Sequence, residues 1–106
     1  MIVTPASSIA GHRVVKTLGL VRGNTIRARH LGRDILAGLK NLVGGEIEEY
    51  TKMMGEAREQ ALDRMVANAK ELGANAVTDV RFSTSFIMGA ASEILAFGNG
   101  VVTEPE

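Results

Sequence analysis

The side chains of this chain that could ligate a metal or move a proton are few and scattered. Its 106 residues include two histidines, His12 and His30, five methionines and no cysteine. A zinc site needs three or four convergent Cys, His or carboxylate ligands, and without thiolates a soft-metal site is hard to build in one subunit. Met53 and Met54 are neighbours on a helical stretch, so their side chains point about 100° apart and cannot both face one ion. Methionines in an apolar stripe, Met65 among them, read as core filler. His12 precedes a strand and His30 a helix, where surface or capping roles are the plainer reading. Gly98-Asn99-Gly100 lacks the longer glycine spacing and following helix of a phosphate loop, and reads as a bulge or a tight subunit contact. With no nucleophile–base pair, metal motif or cofactor loop, neither a catalytic set nor a metal set is assigned, and the chain is not read as an enzyme.

These residues have to be held by an α+β framework whose main element is one long helix, Glu46 to Gly73. Ile47, Tyr50, Met54, Ala57, Ala61, Met65, Ala69 and Leu72 recur at steps of three and four, the helical period. Glu46, Glu48 and Glu49 suit the positive end of the helix dipole; they point in different directions, so they need no cation to explain them. Lys70 lies in the last turn, and Gly73 is placed to end the helix in the left-handed conformation. Tyr50, the only tyrosine, reads as a core ring whose hydroxyl reaches an edge.

Around the helix, the pattern predicts three strands. Arg13–Arg22, rich in β-branched residues, is the first, with a bulge or close approach at Gly19. Ala76–Phe86 is the second, with Ala76, Thr78, Val80 and Phe82 facing the helix and Val77, Asp79, Arg81 and Ser83 facing away. Ser92–Thr103 is the third, interrupted at Gly98-Asn99-Gly100. The last two form an antiparallel hairpin, and the more apolar third strand belongs in the centre, giving the order 1-3-2. Leu31, Ile35, Leu39 and Leu42 predict a short extra helix closed by Gly44-Gly45. Residues 1–12 read as an irregular arm with a short strand at Ile2-Val3, and 103–106 as a polar tail of a single domain.

Twelve basic and twelve acidic residues cancel, which gives no electrostatic case for nucleic acid or an anionic membrane. No apolar run approaches the roughly 20 residues of a membrane span, and residues 1–11 lack a signal-peptide pattern; the expected location is cytoplasmic. One long helix on a small sheet leaves a face and two edges bare. A second apolar stripe, with Leu62 and Val66, adjoins the first, so these positions, with Gly98 and Gly100, are the candidate subunit contacts. Self-association follows as the physical expectation.

The spaced segments RDILAGLKNLVGG, Tyr50, AREQAL and LGANAV together resemble the YbjQ family of small bacterial proteins that carry a heavy-metal-binding label. The resemblance runs from about Val15 to Val102. It implies a dodecin-like β-α-β-β subunit in a ring-shaped homopentamer, and little about activity. Arg33 and Asp34 match the family's RD pair: a polar pocket or intersubunit ion pair on one reading, charge decoration of a helix start on the other. Asp79 with Arg81, and likewise Glu93, either face a ring lumen or are simply solvated. The function expected is a homo-oligomeric binding or scaffold protein with any small ligand at subunit interfaces. The alternative is a metal-ion binder in which a ring assembles copies of one ligand at its axis.

Overall fold

The computed structural model describes residues 1–27, 48–87 and 91–106. The expected short helix, and with it His30, Arg33 and Asp34, lies outside the described residues, as do Glu46 and Met88. Five elements follow in order: β1 (Ile2–Val3), β2 (His12–Arg27), α1 (Glu48–Glu71), β3 (Ala76–Ile87) and β4 (Ala91–Pro105).

The helix ends as its sequence predicts. Gly73 has φ +89; its N–H donates to Lys70 O at 3.0 Å and that of Ala74 to Ala69 O at 3.0 Å. This paired closure satisfies carbonyls that the last turn would leave bare, and it needs a residue free of Cβ at the left-handed position. Ala57, Ala61, Met65 and Ala69 are fully buried. Leu72, read as part of that stripe, is exposed, because the helix has closed by then and the chain turns away.

The four strands form one sheet in the order β1-β3-β4-β2. The three long strands keep the expected relative order, and the hairpin β3–β4 is antiparallel. The three-stranded sheet is nevertheless corrected to four. Ile2 and Val3 pair in parallel with Ala76 and Val77, so the arm closes part of an edge of its own sheet. With β1 and β2 at opposite edges, residues 4–11 must cross β3 and β4. Ala76, Thr78, Val101 and Thr103, buried outside the helix-side core, lie at the end where they cross. At the far terminus β4 runs to Pro105, with Arg13 opposite Glu104 and His12 opposite Pro105, so Thr103 to Pro105 continue a strand rather than form a tail.

Bulges in both neighbours of β4 flank its glycines. On one side, Thr78 faces Asn99 and Arg81 faces Phe97, so Asp79 and Val80 together oppose Gly98. On the other, Leu18 is the extra residue between Thr17 and Gly19, and Gly19 has φ +110, the irregularity its glycine predicted. The extra residue at Asp79 reverses the alternation along β3. Val77, expected on the polar face, is therefore fully buried in the helix-side core together with Val80. Phe82 is 46% exposed, because the helix lies along β2, reaches β4 and barely touches β3.

The helix and β2 approach to backbone contact. A Cβ on Gly23 would collide with Met65 N and sit 2.5 Å from Ala61 O. From the same helix, Asn68 Oδ1 accepts the Arg22 N–H at 2.9 Å and Arg64 donates to Asn24 O at 2.6 Å. Two outward backbone groups of an edge strand are thereby satisfied, which blunts it as a template for stray pairing. No helix among the described residues is long and apolar enough to cross a membrane.

Candidate functional site

Among the described residues, besides the Asn75–Thr103 pairing, polar side chains converge towards each end of the sheet. At the first, the bulge holds Asp79 at φ 56, a left-handed conformation that Asp tolerates better than most residues with a Cβ. Its carboxylate accepts from Ser7 Oγ at 2.7 Å and from Asn99 Nδ2 at 3.1 Å. Around it the arm is tied down by Asp79 N to Ala6 O, Val80 N to Thr4 O and Thr4 N to Val77 O, all at 3.0–3.1 Å. Arg81 donates to Pro5 O at 2.9 Å and to Val80 O at 2.8 Å. The Asp79 carboxyl is held below its usual range. The Ser7 hydroxyl bond contributes most and desolvation opposes it, while Thr78, Asn99 and the charge of Arg81 add to the lowering. Asp79 and Arg81 therefore bind this chain's own arm, where the sequence had offered a lumen ladder or a solvated face.

At the second, Arg22, Gly23, Asn24, Asn68, Glu93 and Leu95 line a cleft of about 560 Å³. Glu93 is half-buried; it accepts from Asn24 Nδ2 at 2.9 Å on one oxygen and from Ser85 Oγ at 3.3 Å on the other. The side chains of Arg22 and Asn24 are both on exposed residues. Among the described residues the one ion pair is Arg13–Glu104, at 3.0 Å, so Arg22 has no carboxylate there.

Of the other sequence candidates, Tyr50 lies in α1 but its side chain is outside the described residues. Leu62 and Val66 are both half-buried, Leu62 packing against the core. Gly98 and Gly100 make their close approaches inside the chain: a Cβ would stand 2.8 Å from Thr78 O at the first and 2.9 Å from Val21 Cγ1 at the second. Met65 is core filler, fully buried, while Met53 and Met54 are half-buried. His12 has a buried Nδ1 with no hydrogen-bond partner. Among the described residues no three His, Asp or Glu side chains group to hold a metal. Arg22, Asn24 and Asn68 escaped the sequence reading, because nothing local marks them and 46 residues separate Arg22 from Asn68.

A family model described as "Putative heavy-metal-binding" matches residues 1–104. A UPF0145 protein of Dehalococcoides mccartyi is 61% identical over 104 residues, 98% of this chain and 100% of that one. A UPF0145 protein of Pyrococcus abyssi is 56% identical over 106 residues, covering 100% and 93%; one from Methanosarcina acetivorans is 54% identical over 101, covering 95% of each. Among solved structures, a protein of unknown function from Pediococcus pentosaceus, assigned to the DUF74 family, superposes with a TM-score of 0.57. It is 17% identical and covers 100% of this chain and 98% of that one, a likeness of fold alone.

Proposed function

This chain belongs to the YbjQ family, and from that premise we propose that it is a homo-oligomeric binding protein rather than an enzyme, working in the cytoplasm. Behind this reading stands apolar surface left open beside β3, which we take as a trough: the helix barely touches that strand, and Phe82 on it is 46% exposed. Arg64 and Asn68 reach the outer edge of β2. Leu62 and Val66 follow the buried Ala61 and Met65, about 100° further round the helix, and turn to the other side. On that side Phe82 is exposed on the helix face of β3, opposite the buried Ala96. A second copy seated in this trough would cover surface that a small subunit cannot hide alone. The edge of β3 beyond Val80, past the reach of β1, offers the same copy a strand to pair with. A ring of five copies is the arrangement that the family resemblance suggests, with bound molecules near the subunit contacts.

A second reading, a metal ion held where copies meet, has the family's description behind it, together with the unpartnered Nδ1 of His12. Native mass spectrometry of gently purified protein tests both. A mass near five times 11.3 kDa supports the ring, and additional mass that survives mild activation identifies a small molecule or an ion. A folded species of single-chain mass overturns the oligomeric reading.

A further inference from the structure

We propose that the cleft bounded by Arg22, Asn24, Asn68, Glu93 and Leu95 binds a small organic anion that also carries a hydrogen-bond donor, of the hydroxy- or amino-dicarboxylate class. The cleft's volume of about 560 Å³ falls within the range of small-molecule sites.

The chemistry comes from which polar groups are already engaged. Asn68 is fixed by the backbone of Arg22, the Asn24 carbonyl by Arg64, and the Asn24 amide by Glu93. The floor cannot shift either, since at Gly23 the strand rests on the helix backbone. A wall set in advance spares a ligand the cost of ordering it. The guanidinium of Arg22, without a carboxylate among the described residues, is the group left to be met. Its planar fork matches a carboxylate with two parallel hydrogen bonds. Glu93 already takes two donors, but an ionised carboxylate has about four acceptor sites, so it can accept one more hydroxyl or ammonium donor.

Spacing sets the ligand's length. Arg22 stands opposite Phe97, while Glu93 stands opposite Ile26. The two charges are thus rooted four residues apart along the strands, roughly 13 Å at about 3.3 Å per residue. If both side chains extend along the cleft they line, the gap between their charges suits a four- or five-carbon dicarboxylate with a donor at one end. Leu95 offers its methylenes an apolar wall.

The test is titration of isotopically labelled protein with L-malate against succinate and L-glutamate against glutarate, matched pairs that differ by one donor group. L-malate or L-glutamate is expected to shift the backbone amides of Gly23 and Asn24 and the side-chain amide of Asn68, with the donor-free partner binding more weakly. Arg22→Ala, at an exposed position, should weaken binding about tenfold, the worth of a charge-assisted hydrogen bond. Glu93→Gln should erase the preference within each pair. No shift at these amides with any of the four compounds overturns the proposal, as does equal affinity within each pair or undiminished binding by Arg22→Ala.

Discussion

Where the arm crosses the sheet, a carboxylate, a guanidinium, a hydroxyl and a carboxamide all spend their hydrogen bonds on one another or on the chain's own backbone. Near Arg22 and Glu93, eleven residues on from Gly11 along β2 and thirteen back from Glu106 along β4, a guanidinium faces an open cleft instead. The first group closes the fold; the second has capacity left over. Polar residues that share a surface are thus told apart by whether their partners are already inside the chain, and only an unmet group argues for a ligand.

The largest effect expected on the fold of the single chain is at Gly23, which sets the rigidity of the cleft. Gly23→Ala drives a methyl into the helix backbone at Ala61 and Met65, and overpacking that only a backbone shift can relieve costs about 3 kcal/mol. Urea denaturation measures it; a loss near zero would mean that the floor yields and the cleft is not set in advance. Asn68→Ala removes the acceptor of the Arg22 N–H, and a lost backbone partner costs about 1 kcal/mol. Hydrogen exchange should quicken at Arg22, leaving the amides of the arm end unchanged.

At the arm end, Asp79→Ala removes the acceptors of Ser7 and Asn99 and leaves a left-handed backbone to a residue that resists it. The Thr4 amide and its neighbours should then exchange faster, with the helix undisturbed. Asp79→Asn should do less, since Asn tolerates this conformation and keeps one acceptor. Because the folded-state carboxyl is depressed, its contribution is complete above the ordinary carboxylate range and is lost as pH falls through a value below it. Amide shifts of Ser7 and Asp79 should therefore hold steady through mildly acid pH. Release of the arm near neutrality would contradict the assignment. The smallest effect is Arg13→Ala, which breaks an ion pair whose side chains are 65% and 53% exposed; such pairs contribute less than about 0.5 kcal/mol.

The long helix, its glycine cap, the three long strands and their relative order were legible because each follows from a local period or a local stop. The short pairing of Ile2-Val3 was visible as a strand but not as a fourth member of this sheet, since its partner Ala76 lies far along the chain. The facing of β3 was read correctly at Val80 and Phe82 but reversed from Ala76 to Thr78, for a physical reason: one residue inserted at Asp79 breaks the alternation between the two halves of the strand, and Asp is an ordinary strand interruption in sequence. Glu93 was picked out by its charge in an apolar strand. Its companions Arg22, Asn24 and Asn68 carry no motif, and only the strand register and the helix's seat on β2 gather them.

Sedimentation velocity of the wild type at micromolar concentration, beside the double variant Leu62→Glu, Val66→Glu, tests the oligomeric reading most directly. Two unpaired carboxylates in the trough would cost several kcal/mol on burial, roughly 3–5 for each by analogy with a broken buried pair. The wild type is predicted to sediment as a closed multimer and the variant as smaller species with its helix content retained. A wild type that sediments as a fully folded monomer would contradict the account.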